Sequence, residues 1–238
     1  MNRTMKLGSM EVEVLQKNIK HLHLSVYPPN GHVRVSAPMH MKPSAIRVFT
    51  LSKLDWIKKQ QKKIRAQERE TPRQYVDRES HFVWGHRYLL TVREADHAPA
   101  VTRKGSTLEL MVRPDTSTEH RAAIMDAWYR DLVRQELPGL ITKWESVMGV
   151  RVKAYRVQRM KTLWGSCTPR RASIRFNTEL AKKPPDCLEY IVVHEMTHLL
   201  EPSHNARFKA LIDQFLPTWR QSRQKLNQLP VRHEDWKY

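Results

Sequence analysis

Apolar and polar residues alternate early in the chain: at Val12 and Val14, along His21-Leu22-His23-Leu24-Ser25-Val26-Tyr27, and at Val33-Arg34-Val35. A period of two puts one side of each run against a core, so residues from Glu11 to about Ala37 read as strands. Pro28-Pro29-Asn30-Gly31 supplies the turn of a hairpin between the last two runs. His21 and His23 share one strand face, read as solvated. From about Ser44 to Glu70 the spacing becomes helical, with Leu51, Leu54, Ile57 and Ile64 available for the inner side. Lys58, Lys59, Lys62, Lys63 and Arg65 form its basic outer side, and Trp56 can stack on a base or simply pack. After a polar break at Thr71-Pro72-Arg73, alternation returns at Phe82-Val83-Trp84, Tyr88 to Val92, Ala100-Val101 and Leu108 to Val112.

The period changes again near residue 115. Ile124, Trp128, Leu132, Leu137, Leu140, Ile141 and Trp144 recur at helical spacing between Thr116 and about Val147, with a kink or break expected at Pro138-Gly139. That change predicts a strand-rich N-terminal region with one long basic helix over 1–115, and a second region over 116–238. Within the second, Val150 to Val157 and Ala172 to Phe176 read as strands, and Trp164-Gly165-Ser166-Cys167 as a turn. The fold class expected is α+β.

A helix through Ile191 to Leu200 places His194 and His198 one turn apart on one face, with Glu195 beside them. Two imidazoles so spaced can grip one metal ion, and a neighbouring carboxylate can take the proton of a bound water. Catalytic zinc takes three protein ligands, and His204 is the candidate third. Pro202 biases Glu201 away from helical geometry, so the chain turns there. Ser203 is then expected to cap a second helix with Phe208, Leu211, Ile212 and Phe215 on its inner stripe, and His204 four residues before Phe208 on that side. Asp213, expected on the opposite side of this helix, and Glu201, at the turn, are rival ligands. Cys167 as a fourth ligand would close the site and make the metal structural.

Composition narrows the setting. Two cysteines are too few for a disulfide scaffold and fit a reducing compartment. The N-terminus is charged rather than apolar, and no run is long enough to cross a membrane, so a cytoplasmic protein without membrane partners is expected. The formal net charge of +18 attracts polyanions, which makes nucleic acid or nucleotides possible partners through the basic surface.

From Arg159 to Leu216 the chain resembles the YgjP-like metallopeptidase family, zincins related to the SprT and WLM groups. The likeness is carried by Arg159-Met160-Lys161, Trp164-Gly165-Ser166-Cys167, Ile174 to Asn177, Leu180, Tyr190 to Glu195, His198-Leu199, His204 and Phe208. It implies a zincin-like core with a small sheet, zinc held by His194, His198 and His204, and Glu195 as the catalytic residue. Leu163 stands where a basic residue is expected and Lys209 where the family often has Trp, which bears on substrate preference. The leading expectation is a zinc metallopeptidase acting on protein or peptide. A strand edge beside the site would hold an extended peptide by main-chain hydrogen bonds. Two rivals use the same residues: nucleoside triphosphate hydrolysis at the same metal, an activity also attached to the family, and a nucleic-acid-binding module with a structural zinc. No glycine-rich phosphate loop accompanies the first.

Overall fold

The computed structural model describes residues 2–27, 30–66, 73–160 and 163–228. The chain packs as two compact units that divide between Thr71 and Pro72. The fold is α+β, with its strands concentrated in the N-terminal half.

In the first unit, β1 (Asn2–Leu7), β2 (Met10–Lys17), β3 (His23–Tyr27) and β4 (His32–Pro38) form a sheet in the order β1-β2-β4-β3. The central pair β2 and β4 is parallel, while β1 and β3 run antiparallel to their neighbours. Alternation works as expected: Val12, Val14, Val33 and Val35 are buried. On the polar side Glu13 accepts a 2.6 Å hydrogen bond from Arg34 Nε. Strand β1 was not foreseen. The single helix expected from Ser44 to Glu70 is two, α1 (Pro43–Ser52) and α2 (Leu54–Ala66), parted at Lys53. The interruption shifts the helical phase, so Ile46, Thr50 and Ile57 are buried whereas Leu51 is 45% exposed. Pro28 and Pro29 of the hairpin turn, residues 67–70 of the expected helix and residues 71–72 lie outside the described residues.

The second unit opens with the same strand order. Here β5 (Ser80–Val83), β6 (His86–Glu94), β7 (Ala100–Lys104) and β8 (Thr107–Val112) pair as β5-β6-β8-β7 around a parallel centre. This sheet shares one core with everything that follows, because Val83, Leu90, Leu108 and Leu110 belong to the same cluster as Met125, Val133, Leu137, Phe176, Leu188 and Val192. The switch from strands to helices near residue 115 therefore falls inside the second unit.

Helix α3 (Thr118–Met148) is continuous through Pro138. Proline removes one backbone donor, but its neighbours Leu137 and Ile141 are buried on the same stripe as Val133 and Trp144, and that packing outweighs the lost bond. Ser117 caps its N-terminus and Gly149, at φ 64°, its C-terminus.

A three-stranded sheet follows, with β9 (Ala154–Gln158), β10 (Gly165–Thr168) and β11 (Ser173–Asn177) in the order β10-β11-β9. The residues read as a Trp-Gly-Ser-Cys turn are thus mostly a strand, and they occupy the edge. Helices α4 (Pro185–Thr197), α5 (Ala206–Phe215) and α6 (Trp219–Gln228) complete the unit, the last without counterpart in the hydrophobic pattern as read. No helix among the described residues is long and apolar enough to cross a membrane.

Candidate metal centre

Helix α4 starts on Pro185, with Asp186 in its first turn, and buries Leu188, Ile191, Val192, Val193 and Met196. An apolar surface this wide anchors the helix on several sides and leaves little freedom to its last turn, where His194 sits. His198 is the C-cap, still in right-handed helical geometry, so the one-turn spacing of the two rings holds. His204 arrives differently from the expectation. The cap of α5 is Asn205, whose side-chain oxygen accepts from Phe208 N at 3.0 Å, and Ser203 instead donates its backbone N–H to Glu201 Oε1. His204 therefore projects from the loop immediately before the helix.

The three rings converge. Their centroids lie 5.1 Å (His194–His198), 5.0 Å (His194–His204) and 4.6 Å (His198–His204) apart, and each offers a nitrogen within 4.8 Å of the others. Phe208 packs against all three, at 4.7 to 5.1 Å.

The donor set fits a divalent cation. His204 Nε2 and His194 Nε2 face each other at 3.0 Å, an arrangement that a shared cation satisfies. His198 Nδ1 lies 3.2 Å from the carbonyl oxygen of Glu201, a contact that would orient the ring and leave Nε2 available to a cation. Burial, reinforced by repulsion from the other two rings, holds His194 down at about 3, and burial also lowers His198. Both are thus neutral, the metal-binding form, at neutral pH. His194 Nδ1 is buried without a hydrogen-bond partner, the one polar atom of the cluster with no compensation.

Glu195, next to His194 in sequence, is only 5% exposed. Gly165 of β10 makes room for it, and the backbone N–H of Cys167 donates to its carboxylate. Burial nevertheless pushes its pKa up to about 8. The carboxyl group and the three histidines line one cleft of about 460 Å³, walled by Trp164 to Cys167 on one side and by Tyr190, Arg223 and Leu226 on the other.

The rival ligands go elsewhere. Asp213 accepts from Trp219 Nε1 at 2.6 Å and pairs with Arg220; Glu201 serves the turn through Ser203. The Cys167 thiol is half-buried in the cleft and pushed up to about 11, by burial and then by Glu195, and is not part of the histidine cluster. Lys58, Gln61, Lys62 and Arg65 of α2 border a shallow hollow in the first unit, with no grouping beyond a basic surface.

The sequence reading missed α6 and with it Arg223, Leu226 and Asn227 of the cleft. A signal was present, since Trp219, Ser222 and Leu226 recur at helical spacing and all three are buried.

A profile of the YgjP-like metallopeptidase domain matches residues 20–229. Comparison with curated proteins finds no match. Two solved structures are similar over part of the chain. The metallopeptidase zymogen abylysin of Pyrococcus abyssi is 15% identical, over 37% of this chain and 90% of that one, at a TM-score of 0.35. The zymogen jannalysin of Methanocaldococcus jannaschii is 19% identical, over 42% and 94%, at 0.30. At such scores these are partial likenesses.

Proposed function

The chain belongs to the YgjP-like metallopeptidase family, and from that premise we propose that it is a zinc-dependent metallopeptidase with His194, His198 and His204 as ligands and Glu195 as general base. The observation that carries the reading is the convergence of three imidazole donors beside a buried carboxyl group in a cleft open to solvent. Three imidazoles suit zinc, and among the described residues the cluster holds three ligand groups, the number a catalytic zinc would take.

When bound, zinc supplies Lewis acidity to the scissile carbonyl and to a water molecule. Glu195 takes the proton of the attacking water and passes it to the leaving amine. Cys167 N–H and the β10 backbone behind Gly165 hold that carboxylate in place. Among the described residues strand β10 has β11 on one side only, so its other edge can pair with an extended peptide through main-chain hydrogen bonds. The strand read from Ala172 to Phe176 lies beside β10 as β11. In the fold that strand is central.

Metal analysis and peptide hydrolysis of the protein and of Glu195→Gln test the reading together. The variant should retain zinc while turnover falls roughly 10²- to 10⁴-fold. Equal turnover in the variant, or a purified protein that takes up no zinc, would refute it. Nucleoside triphosphates assayed in parallel should remain intact.

A further inference from the structure

We infer that Arg223 forms an anion subsite beside the metal centre, binding a carboxylate of the peptide substrate and giving the enzyme a preference for acidic peptides. The inference rests on the peptidase reading and adds a substrate class to it.

The described lining of the cleft holds one strong cation. Among the described residues, and apart from the histidines, Arg223 is the only basic residue in its lining, and Glu195 the only acidic one. Its neighbours on and around α6 are already engaged: Arg220 pairs with Asp213, and Lys225 Nζ lies 2.8 Å from Asp186. Among the described residues no carboxylate pairs with Arg223 and no hydrogen bond uses its donors, although the side chain is exposed. A guanidinium presents five donors in a planar fork matched to a carboxylate, so an unpaired one in a cleft is a receptor for that group.

Its position relative to the metal centre is held by a stack of rings. The Arg223 guanidinium lies over Trp219 at 5.7 Å, Trp219 stacks on Tyr190 at 6.2 Å and 17°, and Tyr190 meets His194 edge-on at 5.8 Å. Arg223 and Asn227 also border a second hollow of about 360 Å³ with Trp219 and Gln224, so a peptide extending out of the metal cleft on this side passes the guanidinium.

The carboxylate can be an Asp or Glu side chain or the free C-terminus. Four zinc-site peptides of one sequence separate these: Glu or Gln at the positions after the scissile bond, each with a free or amidated C-terminus. For the wild type, kcat/KM should favour the carboxylate-bearing peptides, through KM, by roughly tenfold or more. In Arg223→Gln that ratio should fall towards one with zinc content unchanged, and Arg223→Lys should restore part of it. Dependence on the side chain or on the C-terminus identifies the source, and either supports the subsite. Equal kcat/KM for all four, or a loss in Arg223→Gln that falls on kcat equally for every peptide, overturns it. If the protein cleaves none of them, binding of the same peptides to the zinc-loaded protein, read by fluorescence anisotropy, decides the question separately. A preference for the acidic peptides that Arg223→Gln abolishes supports the subsite even though the peptidase reading fails, and equal binding rejects it.

Discussion

At Gly165 the backbone of β10 runs so close to α4 that a Cβ would lie 2.7 Å from Glu195 Oε1, 2.8 Å from its Cγ and 2.9 Å from Ile191 Cγ2. Such contacts force something to move, and the buried carboxylate is what stands nearest. Gly165→Ala should therefore lower kcat roughly 10²-fold by displacing the base, while zinc content stays at the wild-type level. Full activity in that variant would show that Glu195 tolerates displacement. In the sequence Gly165 reads as a turn glycine. Its use is different, because what it accommodates is a side chain thirty residues further on, and no local pattern records that approach. His194, Glu195 and His198 are the opposite case, since their relation is set by helical spacing alone.

Individual elements show how locally correct patterns meet competing constraints. The stop after α4 and the start of α5 were both legible, yet Asn205 rather than Ser203 is the cap, because its side chain reaches Phe208 N with good geometry while Ser203 is drawn into the Glu201 turn. His204 precedes that cap directly. Asn205→Ala should cost about 1 kcal/mol of stability, a melting temperature lower by roughly 2–4 °C, and should weaken zinc affinity as the His204 loop loosens. Thermal melts with and without zinc measure both effects; unchanged affinity would mean that the loop is held by other contacts. Helix α3 illustrates the reverse competition, in which a buried stripe carries the chain through a proline that local rules mark as a break.

Across the second unit, His81 is a buried histidine whose titration tunes stability. His81 is 2% exposed, its Nε2 lies 3.0 Å from Glu79 Oε1, and the Tyr129 hydroxyl lies 3.4 Å from its Nδ1. Burial, with the nearby Arg73 charge adding to it, holds its pKa down at about 4. The unfolded chain, near 6.5, binds the proton more readily, so stability is complete above about pH 6.5 and declines as pH falls towards 4. Denaturant titrations at pH 7 and 4.5 should show this group removing on the order of 2–3 kcal/mol, and His81→Gln should flatten the dependence in that window. An identical slope in the variant would assign the loss to other groups.

The one-turn spacing of His194 and His198, the α+β class and most of the strands could be read directly along the chain, because helical and strand periodicity depend on neighbours within a few residues. The packing of the folded chain alone settled the rest: which strand borders the cleft, that the sheet over 80–112 shares a core with α4 and α5, and that α6 brings Arg223 to the cleft. These depend on pairings between segments far apart in sequence. Their free energy comes from apolar area buried jointly, a quantity that belongs to no single segment.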